Sequence, residues 1–76
     1  MYTIANSVDA RGLNCPLPIL RTKKALQGIE ADEILELKAS DPGSVKDMQS
    51  FCSQTGHELL SSSEEQGEYI FYIKKV

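Results

Sequence analysis

The chain has 76 residues, is 41% hydrophobic and 25% charged, and carries a formal net charge of −3. These values describe one globular domain over residues 1–76, small enough to bury only ~60–65% of its unfolded surface. The acidic balance argues against direct nucleic-acid binding, which needs a basic footprint, and no stretch reaches the ~20 apolar residues of a membrane helix.

In chain order, Tyr2 to Asp9 sets Ile4 and Val8 on one parity, which predicts a half-buried strand. Arg11-Gly12-Leu13-Asn14 is a loop in which Gly12 can adopt positive φ and Asn14 or Cys15 can cap a helix. The helix runs from Pro16 to Gln27, with Ile19, Leu20, Ala25, Leu26 and Ile29 at apolar spacing. Arg21 and Lys24 take its opposite face, and Gly28 is placed to stop it in a left-handed turn. Glu33 to Ala39 alternates cleanly and predicts a second strand with one wet face. Ser40-Asp41-Pro42-Gly43 opens a second helix with proline at its first position. Val45, Met48, Phe51 and Cys52 form its stripe, and Gly56 ends it. Glu58 to Ser62 is a short third strand and Glu64-Glu65-Gln66-Gly67 a polar turn. Glu68 to Lys75, rich in aromatic and β-branched residues, is the strongest strand and pairs with the third as an antiparallel hairpin. Right-handed crossovers in this β-α-β-α-β-β order put both helices on one face. The expected fold class is an α+β two-layer sandwich, a four-stranded mixed sheet with two helices packed on one face.

The chemistry centres on Cys15-Pro16-Leu17-Pro18. A cysteine just before a helix start meets the positive end of the helix dipole and unpaired backbone N–H groups, which favours the nucleophilic thiolate and predicts a lowered pKa. Proline suits the first helical position, and it pushes the residue before it out of the α region. Pro16 and Pro18 together then form a stiff collar presenting one sulfur. Arg11, Arg21, Lys23 and Lys24, half of the eight basic residues, flank Cys15 and predict a docking patch for an acidic partner surface. Cys52 lies on an apolar stripe and reads as core. His57 follows a helix end and is a candidate base for Cys15; with two cysteines and one histidine the chain falls short of a closed zinc site, so no metal and no cofactor is expected. With only two, widely spaced cysteines there is no disulfide framework. Met1 to Ala10 has neither the basic n-region nor the apolar run of a secretory signal. A reducing cytoplasm is the expected compartment.

Arg11-Gly12-Leu13-Asn14-Cys15-Pro16-Leu17-Pro18 resembles the signature of the TusA (SirA, YhhP) family of small sulfur carriers, whose hallmark is Cys-Pro-x-Pro. The resemblance covers the whole chain, including the Asp41-Pro42 helix start and the Phe51-Cys52…His57-Glu58-Leu59 stretch. It implies a fold similar to the C-terminal domain of translation initiation factor three. It also implies a persulfide relay: Cys15 accepts sulfur from a cysteine desulfurase or another sulfurtransferase and passes it to a downstream acceptor protein, in one pathway towards 2-thiouridine in transfer RNA. The resemblance adds Asp41 as a partner-contact residue and Gly12, Asn14, Pro16 and Pro18 as motif support. Leu17 stands where the transfer-RNA-pathway member has Glu. A monomer without direct nucleic-acid or membrane contact is expected. The competing reading is a non-catalytic regulatory module that docks a partner through its basic face and senses redox state through the thiol.

Overall fold

The computed structural model describes residues 3–76. Tyr2, the expected start of the first strand, lies outside the described residues. The element order is β1 (Ile4–Ala10), α1 (Leu17–Gln27), β2 (Ile34–Ala39), α2 (Ser44–Thr55), β3 (Glu58–Glu65) and β4 (Glu68–Lys74). The strands form a four-stranded sheet in the order β1-β2-β4-β3. β1 and β2 run parallel, while β4 is antiparallel to both of its neighbours. This is the expected two-layer mixed-sheet architecture.

β2 is central and shows why the sheet has one dry face. Leu35, Leu37 and Ala39 are fully buried, and Ile34, Glu36 and Lys38 alternate with them, as the pleat requires. Phe71 and Ile73 of β4 lie opposite Leu37 and Leu35 in the ladder and are equally buried. Leu26 of α1 and Met48, Phe51 and Cys52 of α2 close this cluster from the helix side. Each fully buried Leu, Ile or Phe stabilises the fold by ~1.5–3 kcal/mol, so these facing rows dominate the energetics of so small a domain. In β1 a register shift between Ile4 and Asn6 places Ile4 opposite Ile34, on the other face, where it is 37% exposed. The two therefore do not share one parity, contrary to the alternation read from Ile4 and Val8.

Three expectations about the elements change. On α1 the buried line is Pro18, Thr22 and Leu26, at i, i+4 and i+8, whereas Leu20 lies two residues, about 200°, around the helix from Pro18 and is 55% exposed. Thr22 tolerates full burial because its hydroxyl donates to the Pro18 carbonyl at 2.8 Å. Gly28 keeps a right-handed conformation, φ −92°, and its N–H closes on the Ala25 carbonyl at 3.1 Å. The left-handed stop occurs only on α2, at Gly56 with φ 85°. β3 runs on to Glu65, because Ser63, Glu64 and Glu65 pair with Ile70, Tyr69 and Glu68 of the strong β4 partner. The hairpin turn therefore shrinks to Gln66 and Gly67, both with positive φ (52° and 81°), the combination that matches the twist of a two-residue hairpin.

Candidate functional site

The loop between β1 and α1 is built from backbone bonds. Gly12 takes φ 83° and donates its N–H to the Ser40 hydroxyl at 2.8 Å, tying the loop to the end of β2. Leu13 N–H closes on the Ala10 carbonyl at 3.2 Å, and Leu17 N–H on the Asn14 carbonyl at 2.8 Å. Asn14 thus supports the turn through its main chain, and no side chain caps α1. The cap position belongs to Pro16, joined to Cys15 by a cis peptide bond, with Leu17 as the first helical residue and Pro18 the second. The expected cap at Asn14 or Cys15, and proline as the first helical residue, are both displaced by one or two positions.

The second loop meets the first. Asp41 Oδ1 accepts the Gly43 N–H at 3.0 Å, and its main-chain carbonyl accepts the Ser44 N–H at 2.9 Å. Gly43 caps α2 and Ser44 is its first residue, two positions later than the expectation that Pro42 opens the helix. The outer oxygen, Asp41 Oδ2, accepts the Cys15 N–H at 3.1 Å. One half-buried carboxylate therefore bridges the starts of both helices and fixes the main chain under the exposed Cys15 side chain. Asp47 lies half-buried in the first turn of α2.

This arrangement reverses the expected electrostatics of Cys15. Its thiol is pushed above the ordinary cysteine value, first by hydrogen bonding to Asp47, then by partial desolvation and by the charges of Asp47 and Asp41. The collar itself withholds the compensating donors. Pro16 and Pro18 have no N–H, and the Leu17 N–H is already taken by Asn14, so the helix end offers the sulfur few of the amide groups that normally favour an anion. Cys52 is 5% exposed, and burial raises its thiol, as its core reading requires.

The basic residues do not gather at the sulfur. Arg11 forms a two-point pair with Asp9 at 2.8 Å and reaches Glu68 at 3.3 Å, so two carboxylates neutralise it. Arg21, Lys23 and Lys24 are exposed along α1 and have no ion pair among the described residues. Lys24 lies in the last turn, roughly 12 Å along the helix axis from Pro16 at 1.5 Å per residue. Lys23 borders a cleft of about 170 Å³ with Leu26, Gln27, Phe51, Thr55, His57 and Lys75, at the far end of the helix pair. His57 accepts the Val76 N–H on Nδ1 at 3.2 Å and leans on Phe51, with ring centroids 5.9 Å apart. It follows the C-terminus of α2, whereas Cys15 sits at that helix's N-terminus, ~18 Å away along a 12-residue helix. It cannot serve Cys15 as a base.

Two features escaped the sequence reading. Leu17 and Leu20, 45% and 55% exposed, present an apolar patch on the first turn of α1 next to the sulfur. The signal was the helix rotation that Pro18, Thr22 and Leu26 define. Asp47 carried no local signal, because only the packing of α2 beside the β1–α1 loop brings it to Cys15.

Residues 6–75 match the family model for the sulfurtransferase TusA. Over 75 residues the chain is 56% identical to the sulfur carrier protein TusA of Allochromatium vinosum, covering 99% of each protein. It is 41% identical to the sulfur carrier protein TusA of Pseudomonas entomophila, covering 91% of this chain and 86% of that protein. The SirA-like protein from Desulfitobacterium hafniense has a similar structure, with a TM-score of 0.80 and 25% identity over 91% of this chain and 95% of that one. With the Cys15 loop, the two-layer sheet and these full-length matches in agreement, the chain belongs to the TusA family.

Proposed function

We propose that this protein is a sulfur carrier in which Cys15 Sγ takes up a sulfane sulfur as a persulfide and delivers it to an acceptor protein. The observation that carries the reading is a free, exposed Cys15 on a loop locked from two sides, by Asp41 at 3.1 Å and by the Gly12–Ser40 bond at 2.8 Å, in a chain of this family. Cys15 Sγ attacks the outer sulfur of a donor persulfide, the donor S–S bond breaks, and its electron pair returns to the donor sulfur, which takes up the proton that Cys15 released. The sulfane sulfur keeps its oxidation state, so the exchange needs neither oxidant nor cofactor. A cysteine desulfurase or another sulfurtransferase supplies the sulfur in the cytoplasm, and an acceptor thiol removes it. Which product is thiolated, in transfer RNA or elsewhere, is set by that acceptor.

The docking surface around Cys15 combines the exposed Leu17 and Leu20 with the Asp41–Asp47 edge, and the cations of α1 form its periphery. A redox-sensing module is less well supported, because Cys52 is buried away from any resolving role and Cys15 has no second thiol beside it. The test is incubation with a cysteine desulfurase and cysteine, read by intact mass. A gain of one sulfur atom, absent in Cys15→Ser and retained in Cys52→Ser, supports the carrier reading. A parent protein that gains no sulfur refutes it.

A further inference from the structure

We propose that the cleft between the C-terminal ends of α1 and α2 binds a small carboxylate with an apolar body, the size of a single aromatic ring. The cleft has a volume of about 170 Å³ and lies at the end of the helix pair opposite Cys15, so it is a second site, apart from the sulfur chemistry. Four segments build it. Lys23 and Leu26 come from the last turns of α1, Phe51 and Thr55 from the end of α2, His57 from the step into β3, and Lys75 from the residue after β4. Leu26 and Phe51 belong to the core cluster and give the cleft an apolar floor. A benzene-sized body fills a cavity of roughly 150 Å³, so this volume suits one ring or a chain of about six carbons.

The rim carries charge of one sign. Neither Lys23 nor Lys75 has an ion pair among the described residues, and no Asp or Glu side chain among them lines the cleft. Lys75 Nζ donates to the Ile29 carbonyl at 2.6 Å, which anchors this ammonium just past the end of α1 and leaves its other protons free to donate. His57 Nδ1 accepts the Val76 N–H at 3.2 Å. That nitrogen therefore carries no proton, and the ring N–H sits on Nε2 as a donor. The Thr55 hydroxyl is already spent on the Phe51 carbonyl at 2.7 Å. The cleft thus combines apolar surface with a few convergent donors and unpaired cations, the composition of a small-ligand site. A neutral apolar molecule would leave the ammonium groups unpaired, and an organic cation would be repelled. An inorganic anion would leave the floor wet. A carboxylate on an apolar body meets both halves: its hydrocarbon covers Leu26 and Phe51, and its oxygens accept charge-assisted hydrogen bonds.

Benzoate is the probe, titrated into the unloaded protein and followed by backbone amide NMR. It should give saturable shifts at Leu26, Gln27, Phe51, Thr55 and His57 and none at Cys15. So few ligand atoms set a dissociation constant on the order of millimolar. Benzamide keeps the shape without the charge and should bind several-fold more weakly. Inorganic phosphate keeps charge without the apolar body and should also bind several-fold more weakly. Lys23 is exposed on α1, so Lys23→Gln keeps the fold. It should weaken benzoate about two- to fivefold and leave benzamide unchanged. Absence of saturable cleft shifts with benzoate overturns the inference. Benzamide or phosphate binding as tightly as benzoate overturns it too, as does an unchanged benzoate affinity in Lys23→Gln. None of these readouts depends on whether Cys15 loads sulfur.

Discussion

Removing the Asp41 carboxylate should loosen both helix starts at once. Asp41→Ala deletes the acceptors of the Gly43 N–H at 3.0 Å and the Cys15 N–H at 3.1 Å, leaving only the main-chain bond to Ser44. Hydrogen bonds to a charged acceptor contribute up to ~1.5–3 kcal/mol, but water can replace these partners in a half-exposed loop, so about 0.5–1 kcal/mol each is the appropriate scale. The expected loss is about 1–2 kcal/mol, or roughly 4–16 °C in Tm for a domain of this size. Asp41→Asn keeps a single carbonyl oxygen and should lose about half as much. Urea denaturation with an unchanged m value gives the stability loss. Hydrogen exchange at the Cys15 amide reports whether that bond is the one released. A loss below about 0.3 kcal/mol in Asp41→Ala, with Cys15 amide protection intact, would refute the bridging role.

Further expectations concern charge and thiol chemistry. The Arg11 guanidinium, first by hydrogen bonding and then by its charge, holds the Asp9 carboxyl well below the usual carboxylate range. A depressed folded-state pKa means stability that is present above the unfolded value near ~3.9 and lost only as the pH falls through the folded one. Carboxyl NMR titration should show Asp9 ionised after the other carboxylates have protonated, and Arg11→Met should return it to their range. Cys52, raised by burial, should resist alkylation at pH 8 while Cys15 reacts, and should become reactive only on unfolding; comparable rates in the folded protein would contradict its place in the core. Arg21→Glu with Lys24→Glu should change stability by no more than about 1 kcal/mol, since both are exposed on α1. If the peripheral cations steer partners, this double variant slows sulfur uptake at low salt and loses most of that effect at physiological ionic strength, where screening acts over ~8 Å.

The chain alone determined the element order and pointed to Cys15 as the place of the proposed chemistry. The strict alternation of β2, the stripe of α2 and the aromatic run of β4 are periodic signals within a few residues, and periodicity survives any tertiary arrangement. Cys15 between a glycine turn and two prolines is equally local. What the folded structure decided is everything that depends on elements distant in sequence. Strand order follows from the crossovers, and the buried line of α1 from how that helix rolls on the sheet, which moved Leu20 to the surface beside the sulfur. The electrostatic character of Cys15 is the sharpest instance. Read locally, it is a thiol at a helix N-terminus among cations. In three dimensions the prolines remove amide donors, Arg11 turns to Asp9 and Glu68, and Asp41, 26 positions away, arrives with Asp47 on the start of α2. A helix end acts on a charge through a few N–H groups within one turn, and nearby carboxylates outweigh it once those groups are missing or occupied. Sequence patterns encode which residues share a face of one element, and only packing sets which charges meet across two.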